Sequence, residues 1–234
     1  MRTPSITAFF PAYNDAESIG GLVGKADATL RELTSDYEIV VVNDGSRDRT
    51  AEILEGLRQK HPFLRVIHHE RNRDYGGALR SGFRSATKEL VFYTDGDGQY
   101  DPAEMRQLVT ALAEDVDVVQ GYKLERHDPV YRIIIGEFYG WCVRFLFGLK
   151  IRDVDCDFRL IRREALKAVD LTIDSGAICV ELVRKLQDGG FRFREVPVHH
   201  HPRRFGRSQF FFPRRILRTW RDLLRLRVEL LGVR

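Results

Sequence analysis

The chain has 234 residues, 38 Lys and Arg against 34 Asp and Glu, three cysteines and a net charge of +4. That length fits one domain able to bury a sizeable core. The cysteines (Cys142, Cys156, Cys179) are odd in number and scattered, which argues against a disulfide framework or zinc site and for small buried hydrophobes in a reducing compartment. The charge is unevenly placed: residues 202–234 hold ten arginines against Asp222 and Glu229, a net +8, leaving −4 on residues 1–201. A basic end of that kind asks for an anionic partner, nucleic acid or membrane.

The N-terminus runs straight into an apolar stretch ending at Pro11 and reads as a first strand, not a cleavable leader. From there β-branched runs alternate with helical patterns. Strands are predicted at 6–10, 38–42, 64–68, 90–94 and 116–120, and helices at 16–33, 49–60, 77–87 and 103–114. Such alternation predicts an α/β fold with a mostly parallel sheet, helices on both faces and ligands at the carboxyl ends of the strands. Beyond Lys123 follow a long apolar helix (129–148), an acidic turn (153–157), a helix near 176–188 and a strand at 191–198. The window 130–149 is interrupted by Arg132, Glu137 and Arg144, so it can lie on a membrane but not cross it.

Polar residues gather where this architecture ends its strands: Pro11-Ala-Tyr-Asn-Asp15, Asn43-Asp-Gly-Ser46 and Asp95-Gly-Asp-Gly-Gln99. Neither G-x-G-x-x-G nor G-x-x-x-x-G-K-[ST] is present, so these acidic loops ask for a metal ion before a phosphate. Asp95 and Asp97, separated by one glycine, offer hard oxygen ligands of the kind Mg²⁺ or Mn²⁺ prefers; the plainer reading is a turn capped by Asp101 with Pro102 at the first helical position. Asp44 at a strand rim can accept from a base or ribose, and Tyr13 can stack on it.

Taken together, Pro11-Ala-Tyr-Asn, Asn43-Asp-Gly-Ser, Asn72 to Phe83, Asp95 to Pro102, Asp157-Phe-Arg-Leu and Glu195-Val-Pro-Val resemble successive motifs of the family 2 glycosyltransferases of GT-A (Rossmann-like) fold. Within that family the chain is most similar to the dolichol-phosphate mannose synthase and polyprenyl-phosphate glycosyltransferase group, over roughly residues 5–209. The resemblance implies a catalytic domain at 1–209. It places nucleotide-sugar contacts on Pro11, Tyr13, Asp15, Val42, Asp44, Asp95, Gly96, Asp97 and Gln99, a Mg²⁺ or Mn²⁺ ion on Asp97 and Gln99 with Asp95 close by, and the donor diphosphate on Arg203. Asp97 and Arg203 are the candidate catalytic residues. Asp15 stands where the group usually has Glu, Asp74 where Gly is common, and Gln209 where a lysine often holds the diphosphate; Arg204 or Arg207 are candidate replacements.

The implied reaction is inverting transfer of a hexose, by default mannose from GDP-mannose with a UDP-sugar left open, to a polyprenyl phosphate. A phosphate monoester acceptor is mostly dianionic at neutral pH and needs no general base. Lys123, Arg132 and Arg159 are the candidates for holding it, with pairing to Asp155 or Asp157 the alternative for Arg159. A glycan hydroxyl acceptor would instead need a base, for which Asp153, Asp155 or Asp157 are available, and a non-catalytic nucleotide-sugar-binding protein is the third reading. Adjacent residues on a strand alternate faces, so at most two of His199, His200 and His201 could meet one ion; a solvated strand end is the simpler expectation. From Pro213 onward helical spacing sets Ile216, Leu217, Trp220, Leu223, Leu224, Val228 and Leu231 apart from Arg214, Arg218, Arg221 and Arg225. Residues 210–234 therefore read as a basic amphipathic tail for an anionic membrane surface, with Phe210 to Phe212 as further anchors and nucleic acid disfavoured. The expected location is peripheral, on the cytoplasmic face of a membrane.

Overall fold

A computed structural model describes residues 4–124, 130–205 and 212–232. The first half follows the predicted alternation: β1 (Ile6–Ala12), α1 (Ile19–Leu33), β2 (Tyr37–Asn43), α2 (Thr50–Lys60), β3 (Leu64–His68), α3 (Asp74–Ser85) and β4 (Leu90–Thr94). A 3-10 turn (Pro102–Glu104) leads into α4 (Met105–Ala111), with the Asp101 carboxylate accepting the Ala103 N–H at 3.0 Å. Then come β5 (Val118–Lys123), α5 (Val130–Phe147), β6 (Phe158–Arg162), α6 (Arg163–Lys167), α7 (Ile178–Asp188), β7 (Phe193–Val198) and α8 (Pro213–Leu230).

Among the described residues the strands form one seven-stranded sheet in the order β3-β2-β1-β4-β6-β5-β7. All pairings are parallel except those of β6, which runs antiparallel to both β4 and β5. Every residue of β1, β2 and β4 is buried, as expected of strands covered on both faces. Alternate side chains build two cores. Ala8, Phe10, Ile39, Val41 and Phe92 pack with Leu22, Val23, Leu54 and Leu108 from α1, α2 and α4. Phe9, Val40, Val42, Val91 and Tyr93 pack on the other face with α3, α6 and α7.

β6 and α6 were not anticipated. β6 is five residues long with Arg159 as its second residue, a short run in which a charged side chain interrupts the apolar ones. Arg159 is nevertheless buried opposite Tyr93. Asp74, noted as standing where glycine is common, does have a left-handed backbone, φ 61°. Its carboxylate meets Arg218 of α8.

A third apolar cluster joins α5, α7 and α8, with Tyr139, Val143 and Phe147 against Val180, Val183, Leu223 and Leu226. The tail helix thus divides the stripe read from its sequence. Leu223 and Leu226 are buried with Trp220 packed beside them, whereas Leu217, Leu224, Val228 and Leu231 face outward. The expected boundary at 209/210 lies outside the described residues. No helix among the described residues is long and apolar enough to cross a membrane.

Candidate active site

Strand order runs one way from β1 to β2 and β3 and the other way to β4, so a crevice opens at the carboxyl ends of β1 and β4, the usual place for a ligand in such a sheet. The two loops expected to carry chemistry meet there. The Gly96 N–H donates to Pro11 O at 3.1 Å, and Ser18 Oγ donates to Gly96 O at 2.8 Å. A Cβ at Gly96 would lie 2.5 Å from Pro11 O, so only glycine lets the loops approach this closely. On the other side of β1, Asn14 N donates to Ser46 Oγ at 3.0 Å and Arg47 N to Asn14 Oδ1 at 2.8 Å. Asn14 itself has φ 58°, in the left-handed region that Asn tolerates.

The structure therefore brings Pro11, Tyr13, Asp15, Asp44, Asp95, Gly96, Asp97, Gln99 and Arg203 to neighbouring strand ends. The exception within the donor set is Val42, whose side chain lies wholly in the α3 core and leaves only its backbone for a ligand. Asp97 Oδ1 accepts the Gln99 N–H at 3.0 Å, and the Arg203 guanidinium contacts Asp97 Oδ2. Two further hydrogen bonds dock the Arg203 segment on the carboxylate loop: His201 N to Gln99 O at 2.8 Å and Gln99 Nε2 to His201 O at 3.1 Å. Among the described residues the histidines join no cluster of three or more metal-ligating side chains. His199 pairs with Glu104 at 3.0 Å, His200 packs edge-on against Tyr100, and His199 and His201 are exposed.

Electrostatically this corner is crowded with acids. Burial pushes Asp95 well above the ordinary carboxylate range, and Asp157 and Asp97 add to it, while the Tyr75 hydroxyl donates to Asp95 Oδ1 at 2.7 Å. Burial likewise raises Asp15 to about 6, against the Tyr13 backbone N–H that its carboxylate accepts at 2.8 Å. Among the described residues no set of three or more His, Cys, Asp or Glu side chains is arranged to hold a metal by itself. The residues fit a hard divalent cation all the same: the available donors are oxygens, like-charge repulsion between the acids would be relieved, and a cation, Arg203, already sits on Asp97. Such ions take one or two carboxylates and leave the remaining positions to substrate phosphates and water.

The Asp15 shift has a testable sign. A carboxyl whose folded value lies near 6 instead of 3.8 holds its proton more tightly in the folded state. The stability it contributes is complete below about pH 4 and is lost as the pH rises through about 6. Unfolding of the nucleotide-free protein in urea should accordingly show falling stability from pH 4 to 6.5, and Asp15→Asn should flatten that portion of the profile.

One expectation is corrected. Arg159, a candidate for the acceptor phosphate, is 0% exposed. Its donors go to Gln120 Oε1, the Tyr93 hydroxyl, Val154 O and, at 2.8 Å, Asp157 Oδ1. The alternative of pairing with Asp157 is what the fold contains, because β6 inserts the residue into the sheet beside Tyr93. Lys123 ends β5 and donates to Asp155 O at 2.9 Å, with Asp153 at 3.8 Å, so it braces the acidic turn. The Arg132 side chain lies outside the described residues, as do Arg207 and Gln209; Arg204 is exposed.

Sequence reasoning missed Tyr75, Cys179, His69 and Ser81. Cys179 Sγ donates to Asp157 Oδ1 at 3.2 Å, so this thiol is buried as expected but hydrogen-bonded as well. His69 is nearly inaccessible and lies between Asp44 Oδ1 (2.6 Å) and Ser81 Oγ (2.9 Å). Its only signal in the sequence is its place directly after β3.

Residues 7–170 match the model of glycosyl transferase family 2. The undecaprenyl-phosphate 4-deoxy-4-formamido-L-arabinose transferase of Yersinia enterocolitica is 30% identical over 211 residues, which cover 89% of this chain and 63% of that protein. Its counterpart from Yersinia pestis is 29% identical over 213 residues, covering 90% and 64%. The chain thus spans less than two thirds of the length of these relatives. Among solved structures, glucosyl-3-phosphoglycerate synthase from Mycobacterium tuberculosis with Mn²⁺, UDP and phosphoglyceric acid superposes with a TM-score of 0.73 at 17% identity, covering 99% of this chain and 80% of that one. The mannosyltransferase of Pyrobaculum calidifontis in complex with GDP-Man and Mn²⁺ gives 0.68 at 20% identity, covering 96% and 65%. Identities this low speak for the fold alone. With the acidic loops meeting at the switch point of a mostly parallel sheet and the family pattern running over residues 7–170, the chain belongs to glycosyl transferase family 2.

Proposed function

We propose that the chain transfers a hexose, with inversion at the anomeric carbon, from a metal-bound nucleotide sugar to a polyprenyl phosphate at a membrane surface. The observation that carries this reading is the meeting of Asp95, Asp97 and Gln99 with Arg203 at the strand-end crevice. Asp97 and Gln99 would hold a Mg²⁺ or Mn²⁺ ion, with Asp95 fixed behind them by Tyr75; the ion supplies charge neutralisation at the donor diphosphate. Arg203 would move from Asp97 to the diphosphate and stabilise the leaving group. Asp44 and Tyr13 bind the nucleoside end, and Arg132, together with Lys123 from its seat on the acidic turn, orients the acceptor phosphate. A dianionic phosphate needs no general base, so catalysis is by positioning and electrostatics. The undecaprenyl-phosphate specificity in the relatives' names supports this acceptor class. Mannose from GDP-mannose is the default the family resemblance implies, although the solved neighbours carry UDP as well as GDP-Man.

The glycan-hydroxyl reading loses ground at Asp157, one of its three candidate bases, whose Oδ1 is engaged by Arg159 and Cys179. Support for a peripheral position comes from two helices. Ile134, Ile135, Phe138, Trp141 and Phe145 of α5 are exposed, Phe145 by 76%, and the outer stripe of α8 lies beside exposed Arg214, Arg221 and Arg225. An apolar stripe flanked by arginines suits an anionic lipid surface. The protein should co-sediment with phosphatidylglycerol vesicles but not with phosphatidylcholine vesicles. Reversing Arg214, Arg221 and Arg225 to Glu should release it, whereas deleting α8 would also expose Tyr139, Val143, Val180 and Val183, on which Leu223 and Leu226 pack. A screen of nucleotide sugars with polyprenyl phosphate should yield a free nucleoside diphosphate and an organic-extractable labelled sugar. A water-soluble product would sink the acceptor assignment, and no nucleotide release with any pair would sink the enzyme.

A further inference from the structure

We propose that His69 is a positioning residue that presents Asp44 with one open carboxylate oxygen and so selects a uracil-type base in the donor nucleotide. The inference rests on the donor-site reading above and departs from its GDP default. Asp44 follows β2 directly, and its own N–H donates to Ala12 O at 2.9 Å, which ties it to the rim of the crevice. Its Oδ1 is in contact with two donors, His69 Nδ1 at 2.6 Å and the Arg73 backbone N–H at 2.8 Å. A carboxylate oxygen has two lone pairs, so Oδ1 is filled. Among the described residues no donor reaches Oδ2.

The clamp behind this arrangement is built. The Asn72 amide donates to Asp44 O at 3.1 Å, and His69 N donates to Asn43 O at 2.9 Å. Gly45 has φ 67°, and a Cβ there would lie 2.6 Å from Asn72 N, so residues 71–73 rest directly on the loop that carries Asp44. A carboxylate oxygen only accepts, so the Nδ1–H of His69 donates to Asp44 while Nε2 faces the Ser81 hydroxyl, which holds the ring in place. Swinging the carboxylate to free Oδ1 would break its bond to the Arg73 N–H and leave the buried His69 Nδ1 without a partner, which is costly.

Bases differ in what they offer such a group. Guanine presents two adjacent donors, N1–H and N2–H, which pair side by side with both oxygens of a carboxylate; with Oδ1 filled, one of them is stranded. Uracil presents a single N3–H between two carbonyls, and one oxygen satisfies it. Cytosine and adenine each set a ring-nitrogen lone pair beside their amino donor, where it would face the carboxylate. A bidentate pair made or denied is worth about tenfold or more in discrimination.

Calorimetry on the full chain with MnCl₂ and UDP, GDP, CDP or ADP tests this. UDP should bind at least about tenfold more tightly than the other three. In His69→Ala the UDP to GDP preference should shrink to within about threefold, and His69→Asn, whose amide can donate from the place of Nδ1, should restore it. Ser81→Ala, which removes only the rear hydrogen bond, should give an intermediate ratio. A ratio of two affinities is not moved by a general loss of folded protein, so it separates positioning from packing. GDP binding as tightly as UDP would overturn the inference and leave glycosyl transfer standing. A preference unchanged in His69→Ala would reduce His69 to a packing residue, and no binding of any nucleotide would overturn both this proposal and the donor-site reading.

Discussion

Asp97→Ala is expected to lower glycosyl transfer by at least about a thousandfold while leaving the protein folded. Asp97 is 8% exposed, and its contacts are to the Gln99 N–H and to Arg203, both within the site. Removing the carboxylate takes away the central oxygen donor for a divalent cation and the group on which Arg203 is parked. No element of the hydrophobic cores depends on it. Mn²⁺ affinity, read by calorimetry, should fall together with turnover, and the circular dichroism spectrum should not change. Asp97→Asn keeps the shape and loses the charge, so it should resemble Asp97→Ala in activity if charge is what matters. Full activity in either variant would sink the proposed mechanism.

Arg159→Ala should have the largest effect on stability, a loss of about 3–5 kcal/mol. The guanidinium is wholly buried and holds together β4 through Tyr93, β5 through Gln120 and the acidic turn through Val154 O and Asp157. Without it Asp157 is a buried carboxylate with no cation at hydrogen-bonding distance. Burial already raises Asp157 to about 6 in the intact protein, so in the variant the group can escape its penalty by taking up a proton. The cost measured by urea unfolding should therefore be greater at pH 8 than at pH 5. A variant of undiminished stability with a raised KM for polyprenyl phosphate would return Arg159 to the acceptor site. The same residue shows the limit of reading charge from sequence: an arginine in Asp157-Phe-Arg-Leu looks like a phosphate ligand until an antiparallel strand places it between two parallel ones.

Local signals were strong where one segment settles its own structure. The largely apolar runs of β1, β2 and β4, the Asp101 cap with Pro102, and the stripe of α8 are consequences of periodicity and backbone preference, which act within a few residues. The acidic loops were legible for the same reason, since strand ends in a parallel sheet collect at one edge whatever the details of packing. β6 escaped because its cross-strand partners, Tyr93 and Gln120, are 66 and 39 residues away from Arg159. His69 lies outside every motif, and Tyr75 and Ser81 sit within Asn72 to Phe83 without a role that the motif reveals; each acts on a side chain distant in sequence.

By itself the sequence determined the alternation of strands and helices, the loops that would bear carboxylates, and the separation of a −4 body from a +8 end, because these depend on residue type and short-range spacing. Only the tertiary structure decided which charges are chemical and which structural. It buried Arg159, braced the acidic turn with Lys123, seated Arg203 on Asp97 and used Arg218 to bind α8 to Asp74. The physical reason is desolvation: a charge enclosed by the fold must be met by a partner at hydrogen-bonding distance, and where that partner comes from is set by topology rather than by neighbouring residues.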